Sequence, residues 1–462
     1  MNISVIGLGK LGAVLAAVMA DRGHDVVGVD VNPEAVAAIN EGRASVREPG
    51  LDEMIAWNAA RMSATCDFES AVARTDITFV VVPTPSRADA TFSLEYVLKA
   101  TESIGRVLAK KTAYHLVVIS STVMPGSTGG EVLPQLERIS GRRCGPDFGL
   151  CYNPEFIALG SVIRDMSTPD MILIGEFDER AGGLLEELYR TVCPNHPPVA
   201  RMNFVNAELT KISVNTFVTT KISYANMLAE ICEQVPGADA EVVSEAIGMD
   251  TRIGRKYLKG AFGYGGPCFP RDNKAFARFA ESRSVDATLA KATDQVNSRQ
   301  VQRLADRILG MMAEGDCVGV LGMSYKPDTE VIDESQGLTL ANTLATAGCR
   351  VAVYDPAAME NARRALPDAV LFAPSMEACA AEADILVIAT PWSQFRALQP
   401  AHLLPEGRSR NGRRPVIMDW WRMLRPADFE GVAEYIACGM GPAGEHAESA
   451  GKPRFAATGQ FR

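Results

Sequence analysis

The sequence predicts an α/β fold in which two doubly wound sheets are joined by a central all-helical region with one long helix. Three observations carry this. The chain opens strand, glycine turn, helix, strand; a long stretch free of proline and glycine occupies its middle; and a second series of β-branched strands follows that stretch.

"NISVIG" is β-branched and apolar, "LGAVLAAVMADRG" repeats its apolar residues at helical spacing, and "DVVGVD" returns to a strand, so a βαβ unit begins the chain. "TDITFVVVPTP", "HLVVISSTVMPG" and "DMILIG" add continuous apolar strands of the kind buried on both faces of a parallel sheet. A first Rossmann-like domain is expected over residues 1–198. From Asn203 to about Val235 the chain lacks proline and glycine and reads as one long helix. Helical segments continue to about residue 310, giving a central region over 199–310. "CVGVLGMSYKP", "RVAVYDP", "DILVIATPW" and "PVIMDW" resume the strand pattern around a helical "SQGLTLANTLATAG", and a second Rossmann-like domain is expected over 311–438. "HDVVGVDVNP" echoes "CRVAVYDPAA", which fits two related sheets and equally any two buried parallel strands. From Gly439 the chain is small, polar and aperiodic, and residues 439–462 are expected to be a disordered tail.

At 462 residues the chain exceeds one ordinary core, and 47% hydrophobic with 22% charged residues suits a globular protein of several domains. A net charge of -10 argues against nucleic acid or an anionic membrane as partner and for a small molecule or another protein. The start has no signal-peptide pattern, and no apolar run reaches the roughly 18 residues that span a bilayer, so a cytoplasmic protein is expected. Ten cysteines without a CxxC pair and five isolated histidines support neither a disulfide framework nor a metal site.

"GLGKLG" places Gly7, Gly9 and Gly12 between the first strand and the first helix, where a tight turn brings backbone N–H groups and a helix N-terminus to a pyrophosphate. Asp30 ends the second strand, where an acid accepts hydrogen bonds from the adenosine ribose and repels a 2′-phosphate, favouring NAD over NADP. On the long helix Lys211 and Asn215 share a face, with Glu208 one turn earlier; the pattern fits a polar site or a solvated face. In "GYGGPCFPRD", Gly263, Gly265, Gly266 and Pro267 hold Cys268 in a loop. The residue type leaves three readings open: a small buried hydrophobe, a redox thiol or a nucleophile.

"SSTVMPGST", "YNPEFIALGS", "AELTKISVNTFVTTKISYAN", "DTRIGRKYLKGAFGYGGPCFPRD" and "GMSYKPDT", with the glycine turn before them, together resemble the UDP-glucose and GDP-mannose dehydrogenase family. The resemblance spans all three expected regions. It implies a four-electron oxidation of a nucleotide sugar at C6, from alcohol to acid, with NAD as cofactor and UDP-glucose as the leading substrate. It assigns Cys268 as the nucleophile that forms a thiohemiacetal and then a thioester. Lys211 and Asn215 are to stabilise the oxyanion, Thr122 and Asp272 to position water or act as base, and Glu155 to serve as general acid–base. Thr84, Thr122 and Arg271 are expected along NAD. Glu155, Phe156, Lys211, Asn215, Arg252, Phe262, Gly263, Tyr325 and Lys326 are expected at the nucleotide sugar, Arg252 from a neighbouring subunit. The long helix suggests the core of a homodimer or larger homo-oligomer.

The chain departs from the family pattern at four places. Leu159 stands where an acid is usual, Asp333 where an arginine precedes Glu-Ser, Trp420-Trp421 within "DWWRML" where Asp-Gly-Arg is usual, and Pro267 at a common serine position. The first two bear on NAD contacts and the third on sugar recognition. Two other readings therefore stand beside the first: a dehydrogenase of another UDP- or GDP-hexose, and a nucleotide-sugar-binding sensor without turnover.

Overall fold

The computed structural model describes residues 1–403 and 413–442. By packing, the chain forms two compact units, one of Met1–Val214 with Ala275–Asp286 and the other of Asn215–Lys274 with Ala287 onward. The packing boundary falls inside the long helix, Phe204–Glu233. At 1.5 Å per residue this helix is about 45 Å long.

The first unit is built on β1 (Asn2–Ile6), β2 (Asp25–Val29), β3 (Met62–Thr65), β4 (Ile77–Val80), β5 (Leu116–Ile119), β6 (Gly149–Tyr152), β7 (Ile172–Glu176) and β8 (Val199–Met202). They lie in the order β3-β2-β1-β4-β5-β6-β7-β8. Ile6 pairs with Val29 on one side and Val80 on the other, so the chain reverses its direction of travel across the sheet at β1. Loops above the strand ends part at such a switch point, and a ligand can enter there. Leu116 and Val118 enter one core while Val117 and Ile119 enter the other, the alternation of a strand covered on both faces. The helix Gly12–Asp21 is buried at every residue but the last, which anchors the glycine turn before it.

One expectation fails here: β7, the "DMILIG" strand, runs antiparallel to β6, and β8 follows β7. An apolar run records burial on both faces and carries no information about direction.

The second unit holds β9 (Cys317–Leu321), β10 (Arg350–Tyr354), β11 (Leu371–Phe372), β12 (Ile385–Ile388), β13 (Val416–Asp419) and β14 (Glu434–Ala437). All are parallel, in the order β11-β10-β9-β12-β13-β14. This repeats the order of the first six strands. The repetition reaches the glycines. Gly7 (φ +99°) closes against the Val81 carbonyl and Gly12 against the Gly7 carbonyl; Gly322 (φ +109°) closes against Thr390 and Gly337 against the Gly322 carbonyl. Between the paired glycines, Met323–Gln336 takes the place of Leu8–Leu11.

Three further helices complete the region between the sheets in sequence: Ala240–Gly248, Phe269–Ser282 and Thr288–Met311. In the second unit Ala229 and Cys232 of the long helix pack with Leu304 and Ile308 and with Val318 and Val320 of β9. Glu233 fixes the end of the long helix through Arg303 at 2.7 Å. The ordered chain continues past 438: Gly439 N–H donates to Glu233, Ala240 N–H to the Gly439 carbonyl, and Gly237 N–H to the Pro442 carbonyl. Gly439 and Pro442 of the expected tail are therefore bonded to residues at or between helix ends, and residues 443–462 lie outside the described part.

Candidate active site

The first unit gathers its site residues above the carboxyl ends of β1, β2, β4, β5 and β6. A side chain on Gly7 or Gly12 would collide with backbone, whereas around Gly9 there is open space within 4 Å. That is a cradle into which a pyrophosphate fits, facing the N-terminus of Gly12–Asp21. Asp30 accepts from Leu8 N–H at 2.7 Å and from Asn32 N–H at 2.8 Å, one bond to each oxygen. Each oxygen keeps a lone pair for a ribose hydroxyl. In the second unit the matching acid, Asp355, is 1% exposed and takes the N–H groups of Met323, Ser324, Ala357 and Ala358, the Ser324 hydroxyl and the Trp392 indole. It has no capacity left for a ribose, so the echoed sheet offers no second dinucleotide site of this kind.

Beside the glycine turn, Thr84 donates to the Thr122 carbonyl at 2.7 Å, which joins the loops after β4 and β5. Buried Glu208 holds the second of these loops by accepting from Gly126 N–H at 2.5 Å and Thr128 N–H at 2.8 Å. Lys211, one turn on, donates to the Glu155 carbonyl at 2.6 Å and lies 4.8 Å from the Phe156 ring centre. Lys211, Glu155 and Phe156 are thus brought together. Burial pushes the Glu155 carboxyl up; a hydrogen bond from Tyr189 and the Lys211 charge oppose this. Leu159 packs against the core cluster that contains Gly12–Asp21 side chains, and the carboxylate of Glu48 serves the neighbouring N–H groups of Gly160 (2.9 Å) and Val162 (2.7 Å).

The second unit centres on Cys268. It is exposed and directly precedes the helix Phe269–Ser282, with its carbonyl accepting from Asp272 N–H at 2.8 Å. A helix start is a position at which the helix dipole favours negative charge. Asp272, 3% exposed, accepts from the Asn215 amide at 2.6 Å, and Arg271 Nε lies 3.9 Å from the same carboxylate. Cys268, Asp272 and Asn215 therefore form one group.

The loop before Cys268 is clamped from both sides by amides. Asn297 accepts from Tyr264 N–H at 2.7 Å and donates to the Tyr264 carbonyl at 3.0 Å, while Asn226 accepts from Ala261 N–H at 2.9 Å and donates to the Phe262 carbonyl at 3.2 Å. Below, Gly266 N–H donates to the Asp333 carbonyl at 2.9 Å, and Gly265 sits directly on the Glu334 carbonyl. The Tyr325 ring lies against Gly266, with Lys326 Nζ 5.9 Å from that ring's centre. Burial pushes the Tyr325 hydroxyl up, and the nearby Cys268 and Asp333 push it the same way. Asp333 presents its carbonyl to the loop and exposes its side chain.

Arg252 is on the surface, paired with Asp250 at 2.5 Å. Phe262 is 4% exposed with its ring 6.4 Å from buried Trp420, and Gly263 is half-buried against Asn297 and Gln336. In the "DWWRML" segment the Trp421 indole donates to the Ala389 carbonyl, and Arg422 is committed to Asp239 and the Cys438 carbonyl. Glu48, Asn153, Tyr189, Asn226 and Asn297 were not singled out by sequence. For Asn226 a signal existed: an amide between apolar residues on a helix that has no other reason to carry one. Among the described residues no group of three His, Cys, Asp or Glu could hold a metal, and no helix is long and apolar enough to cross a membrane.

Comparison with known proteins gives a consistent picture. Residues 1–193, 205–299 and 319–426 match the NAD binding, central and UDP binding domain models of the UDP-glucose/GDP-mannose dehydrogenase family. A UDP-glucose 6-dehydrogenase of Haloferax volcanii is 39% identical over 402 residues, 86% of this chain and 93% of that protein. A GDP-mannose 6-dehydrogenase of Pseudomonas syringae is 36% identical over 361 residues, 77% of this chain and 81% of that protein. The structure of a UDP-glucose dehydrogenase from Pyrobaculum islandicum superposes with a TM-score of 0.82 at 38% identity, covering 94% of this chain and 96% of that one.

Proposed function

Because the chain belongs to the UDP-glucose/GDP-mannose dehydrogenase family, we propose that it oxidises UDP-glucose to UDP-glucuronate through a cysteine-bound thioester. The observation that carries the mechanism is Cys268, exposed at a helix start with buried Asp272 and Asn215 bonded one turn away. NAD, held at Gly7, Gly9, Gly12 and Asp30 and along Thr84, Thr122 and Arg271, supplies the hydride acceptor for both oxidations when bound. Lys211 and Asn215 stabilise the oxygen at C6 as charge develops on it, Lys211 by its ammonium and Asn215 by an amide donor. Cys268 attacks the aldehyde carbon to give a thiohemiacetal, so the aldehyde stays on the enzyme. After the second oxidation, water adds to the thioester carbonyl, with Glu155 taking its proton and Asp272 and Thr122 orienting it, and the thiolate leaves. Phe156, Arg252, Phe262, Gly263, Tyr325 and Lys326 are assigned to the nucleotide sugar by family pattern.

Phe217, Tyr224 and Ile231 recur at every seventh residue of the long helix and are 66%, 48% and 52% exposed, which supports a homodimer formed on that face. A cytoplasmic setting follows from the use of NAD and a nucleotide sugar. The test is purified protein with NAD and a panel of UDP- and GDP-sugars, read as NADH absorbance. UDP-glucose should be the preferred sugar and yield two NADH for each acid formed. Turnover with a GDP-hexose alone, or with no sugar, would overturn the assignment.

A further inference from the structure

Glu155 is not held by its own backbone alone. The Tyr189 hydroxyl, on the helix Glu179–Val192, lies 3.2 Å from Glu155 Oε1 and 2.5 Å from Asn153 Oδ1. The orientation of Asn153 follows from its other end: Nδ2 donates to the Leu173 carbonyl of β7 at 2.9 Å, so Oδ1 faces the tyrosine. Asn153 N–H in turn donates to the Ile119 carbonyl of β5 at 2.8 Å. Asn153 is 2% exposed and Tyr189 5%, so water does not compete for these bonds.

We propose that Tyr189, steered by Asn153, is a positioning residue that aims the Glu155 carboxylate during turnover. The inference rests on the reading of Glu155 as general acid–base. A hydroxyl suits a neighbour that changes protonation state. Its one hydrogen serves two acceptors: at 2.5 Å it goes to Asn153 Oδ1, which leaves the phenol oxygen to accept from a protonated Glu155, and it swings to the carboxylate when Glu155 ionises. Burial and the neighbouring Glu155 charge push the Tyr189 hydroxyl well up, which keeps it protonated in both states. The groups facing Glu155 are Lys211 from the long helix and Tyr189 and Cys193 from the helix Glu179–Val192 and its end, with Arg22 beyond Cys193. Of these, Tyr189 and Lys211 favour the ionised carboxylate against burial.

The experiment compares wild type, Tyr189→Phe, Glu155→Gln and the double variant in steady state across pH. Tyr189→Phe should lower kcat about tenfold, the worth of one hydrogen bond to a charged group, with both KM values within about twofold. Losing the donor raises the proton affinity of Glu155, so the acid limb of kcat should move to higher pH. The double variant should be no slower than Glu155→Gln, because Tyr189 acts through Glu155. A shape-preserving replacement by 3-fluorotyrosine, a stronger donor, should move the limb the other way. Additive losses, or an acid limb that 3-fluorotyrosine leaves in place, would overturn the proposal and leave Tyr189 a packing residue. Full activity of Glu155→Gln would instead remove the role of Glu155, and an inactive wild type would remove the functional reading itself.

Discussion

Gly266→Ala tests how Cys268 is held. The backbone there has φ +83°, which costs an alanine about 1–2 kcal/mol. The added Cβ would lie 2.5 Å from Tyr325 Cε2 and 2.6 Å from Cδ2, where about 3.5 Å is needed, so ring or loop must retreat by about 1 Å. The half-buried ring resists as an overpacked core does, at about 1–3 kcal/mol. The strain, about 2–5 kcal/mol in sum, falls two residues from the sulfur. Misplacing a reacting atom by about 1 Å costs on the order of a hundredfold in rate, and kcat should fall by that factor while KM for NAD stays within about twofold. Initial rates and the alkylation rate of the Cys268 peptide, followed by mass spectrometry, report the two effects. Adding Tyr325→Ala removes the collision and leaves the backbone strain, so it should recover part of the lost alkylation rate. Gly266→Ala with wild-type kcat and alkylation would refute the claim that Tyr325 and Asp333 seat this loop.

Cys268→Ser should stop acid formation while NAD and sugar binding survive, because an alkoxide is a poor leaving group; near-normal acid release would make Cys268 structural. Asp30→Ala should weaken NAD and narrow the preference over NADP, and it also frees the Leu8 and Asn32 N–H groups; unchanged constants for both cofactors would move the ribose site elsewhere. Leu159→Glu should lower the thermal unfolding midpoint, since the half-buried side chain packs against the core and Glu48 already serves the nearby N–H groups; a tighter NAD constant at unchanged stability would contradict that placement.

Both sheets, the long helix and the cysteine loop were legible in sequence because each rests on local pattern: apolar runs, the absence of breakers over Asn203–Val235, and clustered glycines. Two of the strands that escaped notice carry weak patterns. β8 is half-buried at all four residues and β11 has only two. The supports of the site escaped for another reason. Asn153 and Tyr189 are 36 residues apart, and Asn297 reaches a loop 33 residues away, so nothing local marks them. The role of "DWWRML" was legible as a departure, but its outcome was not: only packing shows Arg422 spent on Asp239 and Cys438.

The widened turn between Gly322 and Gly337 sets a limit on how this chain can drift. Surface connections ordinarily absorb insertions and deletions at little cost. Met323–Gln336 looks like such a connection in one dimension, yet its far end is a bed on which Gly265 and Gly266 rest, so its length is gauged against a segment that lies well before it in the chain. Adding or removing one residue there would alter the height of that bed and displace the thiol while leaving β9 and β10 intact. Homologues should therefore keep the length between these two glycines fixed, and loop grafting within the family would have to exchange both segments as a matched pair.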